Sequence, residues 1–120
     1  VPFPLPGGGT GTDLYVKADK FHDVFAADVP ESVTDLAAVT QRPVAASVFD
    51  EKATQAAWKT IPSWDLITTE DKAIAPDAQR FMAERARAHT VEIKSSHAVT
   101  ASHPGAVTRL IEQAVQATAR

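Results

Sequence analysis

The sequence predicts an α/β fold: two parallel strands with flanking helices, preceded by a mostly helical segment. Three observations predict it. Two short apolar and β-branched runs, Trp64–Thr69 and Thr90–Lys94, are separated by one helix-like stretch. That stretch and the one after the second run both begin at a proline, Pro76 and Pro104, a residue suited to the first turn of a helix. Strand, helix, strand, helix in that order gives parallel strands joined by a right-handed crossover.

Taken in order, residues 1–12 are rich in proline and glycine and read as a loop. Asp13–Lys17 reads as a short strand. Asp19 to Ala27 reads as a short helix, with Phe21, Val24 and Phe25 at i, i+3, i+4 spacing. Glu31 to Gln41 is a second helix: Pro30 suits its start, Val33, Leu36, Ala37 and Thr40 line one face, and Pro43 ends it. Residues 44–62 are mixed, with a helical turn around Thr54–Trp58 and a break at Pro62. Trp64–Thr69 is a strand. Pro76 opens a helix through Ala88 that places Ala78, Phe81, Met82 and Arg85 on one face, with Asp77 near its positive end. In the second strand, Thr90–Lys94, Val91 and Ile93 alternate with polar neighbours. The last helix runs from Pro104 to about Thr118 with a stripe of Val107, Leu110, Ile111, Ala114 and Val115. The chain therefore divides into an irregular part, 1–60, and a regular part, 61–120.

A length of 120 residues suits one domain, and much of its apolar content is alanine, which buries little area per residue. The net charge of −3, with no stripe of Lys and Arg, argues against a nucleic-acid partner. No apolar run approaches the ~20 residues that span a bilayer, so no membrane partner is expected either. The absence of cysteine rules out a disulfide framework and fits a reducing, cytoplasmic setting. Val1–Gly9 has no basic region and no apolar core, unlike a signal peptide. The missing initiator Met suggests a processed, truncated or cloned piece.

The residues that carry chemistry are Asp71 and His97. Each follows directly on a strand-like run, and ligands of open α/β sheets bind beyond the carboxyl ends of the strands. A carboxylate and an imidazole delivered there make an orienting acid and a base. The plain alternative is a capping Asp and a surface His. A nucleophile is lacking, because no G-x-S-x-G occurs. Ser95 and Ser96 are sequence neighbours of His97, too close to reach its Nε2 in line, and are expected to bond the local backbone; Ser47 and Ser63 have no supporting context. Gly7-Gly8-Gly9-Thr10-Gly11 neither follows a strand nor ends in Lys, so it reads as a flexible turn and not a phosphate cradle. His22, His89, His97 and His103 lack metal-ligand spacing, and His103 reads as a helix start. No metal and no cofactor is expected. Phe21, Phe25, Trp58 and Trp64 read most simply as core.

Two stretches carry a family resemblance: Thr68-Thr69-Glu70-Asp71-Lys72-Ala73-Ile74 with Pro76-Asp77-Ala78-Gln79-Arg80-Phe81-Met82, and Val91-Glu92-Ile93-Lys94-Ser95-Ser96-His97-Ala98-Val99. From Ile61 onward the chain resembles an α/β-hydrolase of the small-capped esterase branch, which holds methylesterases, hydroxynitrile lyases and bacterial esterase relatives. Residues 1–60, with Pro6-Gly7-Gly8-Gly9-Thr10-Gly11, resemble the second part of that cap. The resemblance implies the C-terminal part of an α/β-hydrolase fold: a cap-like segment, 1–60, then the last strand-helix-strand-helix of the core, 61–120. It implies that Asp71 and His97 are the acid and His of a Ser-Asp-His triad. Between the neighbours Glu70 and Asp71, the family pattern selects Asp71. It also implies a small-molecule ester substrate, with Phe21 and Phe25 as walls of an acyl pocket.

The departures are specific. The elbow Ser and oxyanion-hole loop are expected upstream of Val1. Asp65, Ala75, Thr100 and Ala101 stand where the pattern prefers apolar residues or a further proline. Ala98 stands where the lyases carry Lys, which tilts the reading toward ester hydrolysis.

Two parallel strands leave a free edge of unpaired N–H and C=O groups. A second chain is therefore expected, either an N-terminal hydrolase portion or another copy in a homodimer, including a swapped cap. The alternative to an enzyme is a non-catalytic hydrolase remnant that oligomerises or binds a small apolar ligand.

Overall fold

The N-terminal segment builds a small antiparallel sheet where the sequence reads as loop. In the computed structural model, which describes residues 1–119, β1 (Pro2–Pro4) pairs with β2 (Thr10–Leu14), and β2 pairs with β3 (Val44–Ala45). The reversal runs through Gly8 and Gly9, whose φ of 89° and 91° lies in the left-handed region that glycine enters without a Cβ penalty. The Gly8 N–H donates to the Leu5 carbonyl at 3.0 Å, and the Leu5 N–H donates to Gly9 at 3.2 Å. Gly11 faces Phe3 across the pair, and a Cβ there would lie 2.5 Å from the Phe3 ring. The Phe3 ring thus covers Gly11, and a side chain there would have to displace it. The Asp13 N–H bonds the Val1 carbonyl at 2.7 Å. Residues 1, 3 and 5 therefore bond inward, and Pro2 and Pro4, which have no donor, occupy the outward positions. The cap-like segment accordingly adds a small sheet to its helices, which still hold more of its residues than the strands do.

Two helices follow, α1 (Ala18–Phe25) and α2 (Glu31–Thr40). α1 buries the predicted Phe21, which packs with Ala26, Val29 and Ala38 into a small apolar cluster. Of the stripe predicted on α2, only Ala37 packs against this cluster. Thr34 and Ala38 face inward, while Val33, Leu36 and Val39 are exposed. The Thr34 hydroxyl accepts from His22 Nδ1 at 3.1 Å and donates to the Glu31 carbonyl at 3.1 Å, which makes the inward polar group tolerable. Gln41 ends the helix by bonding both backbone groups of Val16, at 2.9 and 2.8 Å, as a strand partner would. The mixed region carries short 3₁₀ turns at Ala46–Phe49 and Ala57–Lys59.

The second half follows the expected order. β4 (Trp64–Thr68) pairs in parallel with β5 (His89–Ile93), with α3 (Pro76–Ala86) between them. α3 stops two residues before its expected end because Arg87 adopts the left-handed conformation at φ 52°. A short α4 (Val99–Ser102), unforeseen in the sequence, precedes α5 (Pro104–Thr118), whose first residue is the predicted proline. α3 also turns the unexpected face inward: Ala83 is 1 % exposed, whereas Phe81 and Met82 are 64 % and 48 % exposed. Small residues let a helix approach a sheet closely, so the bulky ones are left outside. On α5, Ile111 and Val115 are likewise exposed.

The surface reflects this. A compact protein of this mass exposes about 6,300 Å², whereas this chain exposes 8928 Å². Its radius of gyration is 16.9 Å, against about 13.6 Å for a compact domain of this length. Among the described residues, no helix is long and apolar enough to cross a membrane.

Candidate active site

β4 ends in a tight turn that presents Asp71. The Asp71 N–H donates to the Thr68 carbonyl at 3.3 Å, and Asp71 Oδ1 accepts from the N–H groups of Ala73 and Ile74, both at 2.8 Å. This is the self-capping geometry that Asp favours in turns. Asp71 Oδ2 accepts from Thr68 Oγ1 at 2.9 Å and from Gln79 Nε2 at 2.9 Å. Gln79 also donates to the Ile74 carbonyl at 2.8 Å and accepts from the Thr68 N–H at 3.0 Å, tying the first turn of α3 to the end of β4. The Asp71 side chain is 2 % exposed. Burial alone pushes its carboxyl up. The hydrogen bonds from Ile74, His97, Thr68 and Ala73 outweigh that and hold it below the usual carboxylate range.

β5 delivers the imidazole. The strand pair is prolonged by Thr69 N–H to the Ile93 carbonyl at 2.9 Å and by Glu70 N–H to the Ser95 carbonyl at 3.1 Å. His97 Nδ1 then lies 2.7 Å from Asp71 Oδ2. Glu70 points elsewhere, with its carboxylate 3.4 Å from Lys94 Nζ. Because Asp71 is held ionised, it only accepts. In this contact Nδ1 of His97 is the donor, which leaves Nε2 as the ring atom turned away from Asp71.

His97 lines two cavities. One, of about 230 Å³, includes Asp65, Thr68, Asp71, Met82 and Val99. The other, of about 370 Å³, is walled by Phe21, Phe25, Val29, Val33 and Ala37. The Phe25 ring sits 4.7 Å from the imidazole, centroid to centroid, and 5.1 Å from the Phe21 ring. The structure thus brings all four sequence-selected residues together: Asp71 and His97 as a bonded pair, Phe21 and Phe25 as the apolar wall beside them. A further cleft at Trp58, Lys59 and Arg85–Arg87 shares no residue with these.

Ser95 and Ser96 bond the local backbone as expected: Ser95 Oγ donates to the Ser96 carbonyl at 3.1 Å, and Ser96 Oγ accepts from the Ala98 N–H at 3.2 Å. Unforeseen in the sequence, both hydroxyls also reach Asp28, on the turn between α1 and α2, with Ser95 Oγ at 2.8 Å. Asp28 and Gln79 are the polar residues at this end that sequence reasoning missed. Gln79 had a signal, since it lies in the first turn of the adjoining helix and inside the motif stretch; Asp28 had none. His103 is the residue before α5, at its N-cap, with Nδ1 2.9 Å from Ser102 Oγ. Among the described residues, no group of three His, Asp or Glu side chains is arranged to hold a metal ion.

The parallel pair, the helix crossing between its strands and the Asp–His contact at its carboxyl end define part of an α/β-hydrolase fold. The chain belongs to the Alpha/beta hydrolase family, whose sequence profile matches residues 1–110. A solved structure similar to it is the crystal structure of polyneuridine aldehyde esterase, with a TM-score of 0.78 and 18 % identity. The match covers 94 % of this chain and 47 % of that one, so the chain spans about half the length of its structural neighbour. At that identity the likeness shows the fold alone. No curated protein matches the chain.

Proposed function

We propose that this chain supplies the acid and the base of a serine-type carboxylic-ester hydrolase, Asp71 orienting His97 and His97 activating a serine from a part of the fold that the chain does not contain. The observation that carries this reading is the 2.7 Å contact between His97 Nδ1 and the buried, ionised Asp71. It supports a proton on Nδ1, with Nε2 as the base. When Nε2 takes the proton of the attacking hydroxyl, the ring becomes an imidazolium, which Asp71 stabilises. The same proton then passes to the departing alkoxide. Ser95 and Ser96 are committed to Asp28 and do not serve as nucleophile.

Phe21 and Phe25 wall the adjacent cavity with Val29, Val33 and Ala37, an uncharged lining that suits the acyl or alcohol part of a small apolar ester. The completing partner is a second chain carrying the rest of the fold, or another copy of this one. Support for a partner is the roughly 2,600 Å² by which the surface exceeds that of a compact protein, taken from the 8928 Å² exposed here.

The test is p-nitrophenyl acetate hydrolysis by the chain alone and by the chain joined to the remaining half of an α/β-hydrolase. The chain alone should not exceed free imidazole, and the joined form should turn over. Turnover in the joined form that survives His97→Ala would overturn the proposal. A saturable change in Trp fluorescence with small aromatic esters, and no turnover in either form, would favour an apolar-ligand binder.

A further inference from the structure

Asp28 stands outside the Asp71–His97 pair, yet it holds the two residues that lead into His97. Asp28 Oδ2 accepts from Ser95 Oγ at 2.8 Å and from the Ser96 N–H at 3.0 Å, and Oδ1 accepts from Ser96 Oγ. Ser95 is fully buried and Ser96 is 3 % exposed. Two hydroxyls and an amide in such a place are costly unless their partner is present. Ser102 Oγ lies 3.0 Å from Ser95 Oγ, and His103 Nδ1 lies 3.6 Å from Asp28 Oδ2, which extends the cluster to the start of α5. On the far side of His97, the Ala98 N–H donates to the Phe25 carbonyl at 3.0 Å. The peptides on both flanks of His97 are thus held by α1 and the turn that follows it.

We propose that Asp28 is a positioning residue for His97: by clamping Ser95 and Ser96 it fixes the loop that presents the imidazole to Asp71. This rests on the reading of Asp71 and His97 as an acid–base pair. Asp28 bonds neither member of that pair, so it acts only through the loop. In a completed hydrolase, its loss lowers kcat more than it raises KM, because the Phe21 and Phe25 wall is left in place.

The experiment follows the Nδ1 proton of His97 by NMR in the ¹⁵N-histidine-labelled chain. Asp28→Asn and Ser96→Ala are compared with wild type, and Asp71→Asn serves as the control. Asp28→Asn should make that proton exchange at least about tenfold faster, since a hydrogen bond to a charged group carries that much population. Ser96→Ala should act in the same direction and less. The signals of His22, bonded to Thr34, and of His89, stacked on Trp64, should stay in place. Wild-type exchange in both clamp variants, with protection lost in Asp71→Asn, overturns the proposal and leaves the pair intact. Protection that survives Asp71→Asn overturns the pair and the proposal together. Displacement of the His22 and His89 signals as large as that of His97 shows a general structural tie and also overturns it. If Asp28→Asn does not fold, Ser96→Ala decides alone, and an unchanged rate there is the overturning result.

Discussion

The carboxyl end of the β4–β5 pair and the outer faces of α2, α3 and α5 are built on opposite terms. At the strand ends, polar groups are buried and matched: Asp71 takes five hydrogen-bond donors, from Thr68, Ala73, Ile74, Gln79 and His97. Among the described residues, no buried side-chain nitrogen or oxygen lacks a partner. On the outer faces, Leu36, Val39, Phe81, Ile111 and Val115 are each more than half exposed. The acid–histidine pair is therefore self-contained, while the hydrophobic core is not. The chemistry end is specified by local turns and side-chain bonds, which a short stretch of chain supplies. The core needs area, which this stretch does not enclose.

The widest separation between the two regions should come from Asp71→Asn in a completed hydrolase. The neutral amide permits the wrong tautomer of His97, and kcat should fall by about 10⁴ with KM nearly unchanged, the size of loss known for the serine-protease triad. A loss below about tenfold in ester turnover would show that Asp71 is not the orienting acid.

The next effect falls on the other region. Light scattering on the chain at micromolar concentration should give a mass above the 12.8 kDa of a monomer. Ile111→Asp with Val115→Asp should return it to monomer by placing charge on the exposed apolar face of α5, a change of at least about 2 kcal/mol if these are central contacts. A wild-type chain that is already a cooperative monomer removes the contrast.

A third effect is pH dependence at the strand ends. Asp28 and Asp71 are both held below their unfolded value of 3.8, against the upward push of burial: Ser96 and Ser95 do so for Asp28, Ile74 and His97 for Asp71. A depressed carboxyl contributes stability above its unfolded value and loses it as pH falls through its folded value. Tm should therefore hold above about pH 5 and drop below about pH 4. Less of that acid loss should remain in Asp28→Asn with Asp71→Asn. Equal acid loss in the double variant would place the sensitivity elsewhere.

The smallest effect is His97→Ala on stability. Asp71 keeps Thr68, Gln79 and the two backbone N–H groups, so the change should stay within about 1 kcal/mol. Chemical denaturation giving a loss of several kcal/mol would mean that the imidazole is part of the packing that includes Phe25.

The same contrast explains what was legible in the sequence. Asp71 and His97 could be placed because each directly follows a strand-like run, and parallel strands bring their carboxyl ends to one edge. α5 was legible from its proline and its period. Asp28 was not, because its partners lie 67 and 68 positions away and no local spacing links them. The inward faces of α2 and α3 were misread because periodicity assigns large apolar residues to the core. Here the close contacts are made by Thr34, Ala38 and Ala83, and the large residues face away. The N-terminal hairpin was hidden by its own prolines, which break a strand pattern in sequence while fitting an outer strand in space.

Those prolines also bear on how the chain behaves when concentrated. Fibrils grow by adding strands to an open row of donors and acceptors. Pro2 and Pro4 remove the donors from the outer side of β1, so this sheet cannot seed such growth there. β4 and β5 carry no proline. Kept without a partner, the chain should form thioflavin-positive deposits that begin at Trp64–Thr68, fastest near the isoelectric pH of about 5.7, where charge repulsion vanishes. A lysine at Leu66 should delay them, and a lysine at Phe3 should not.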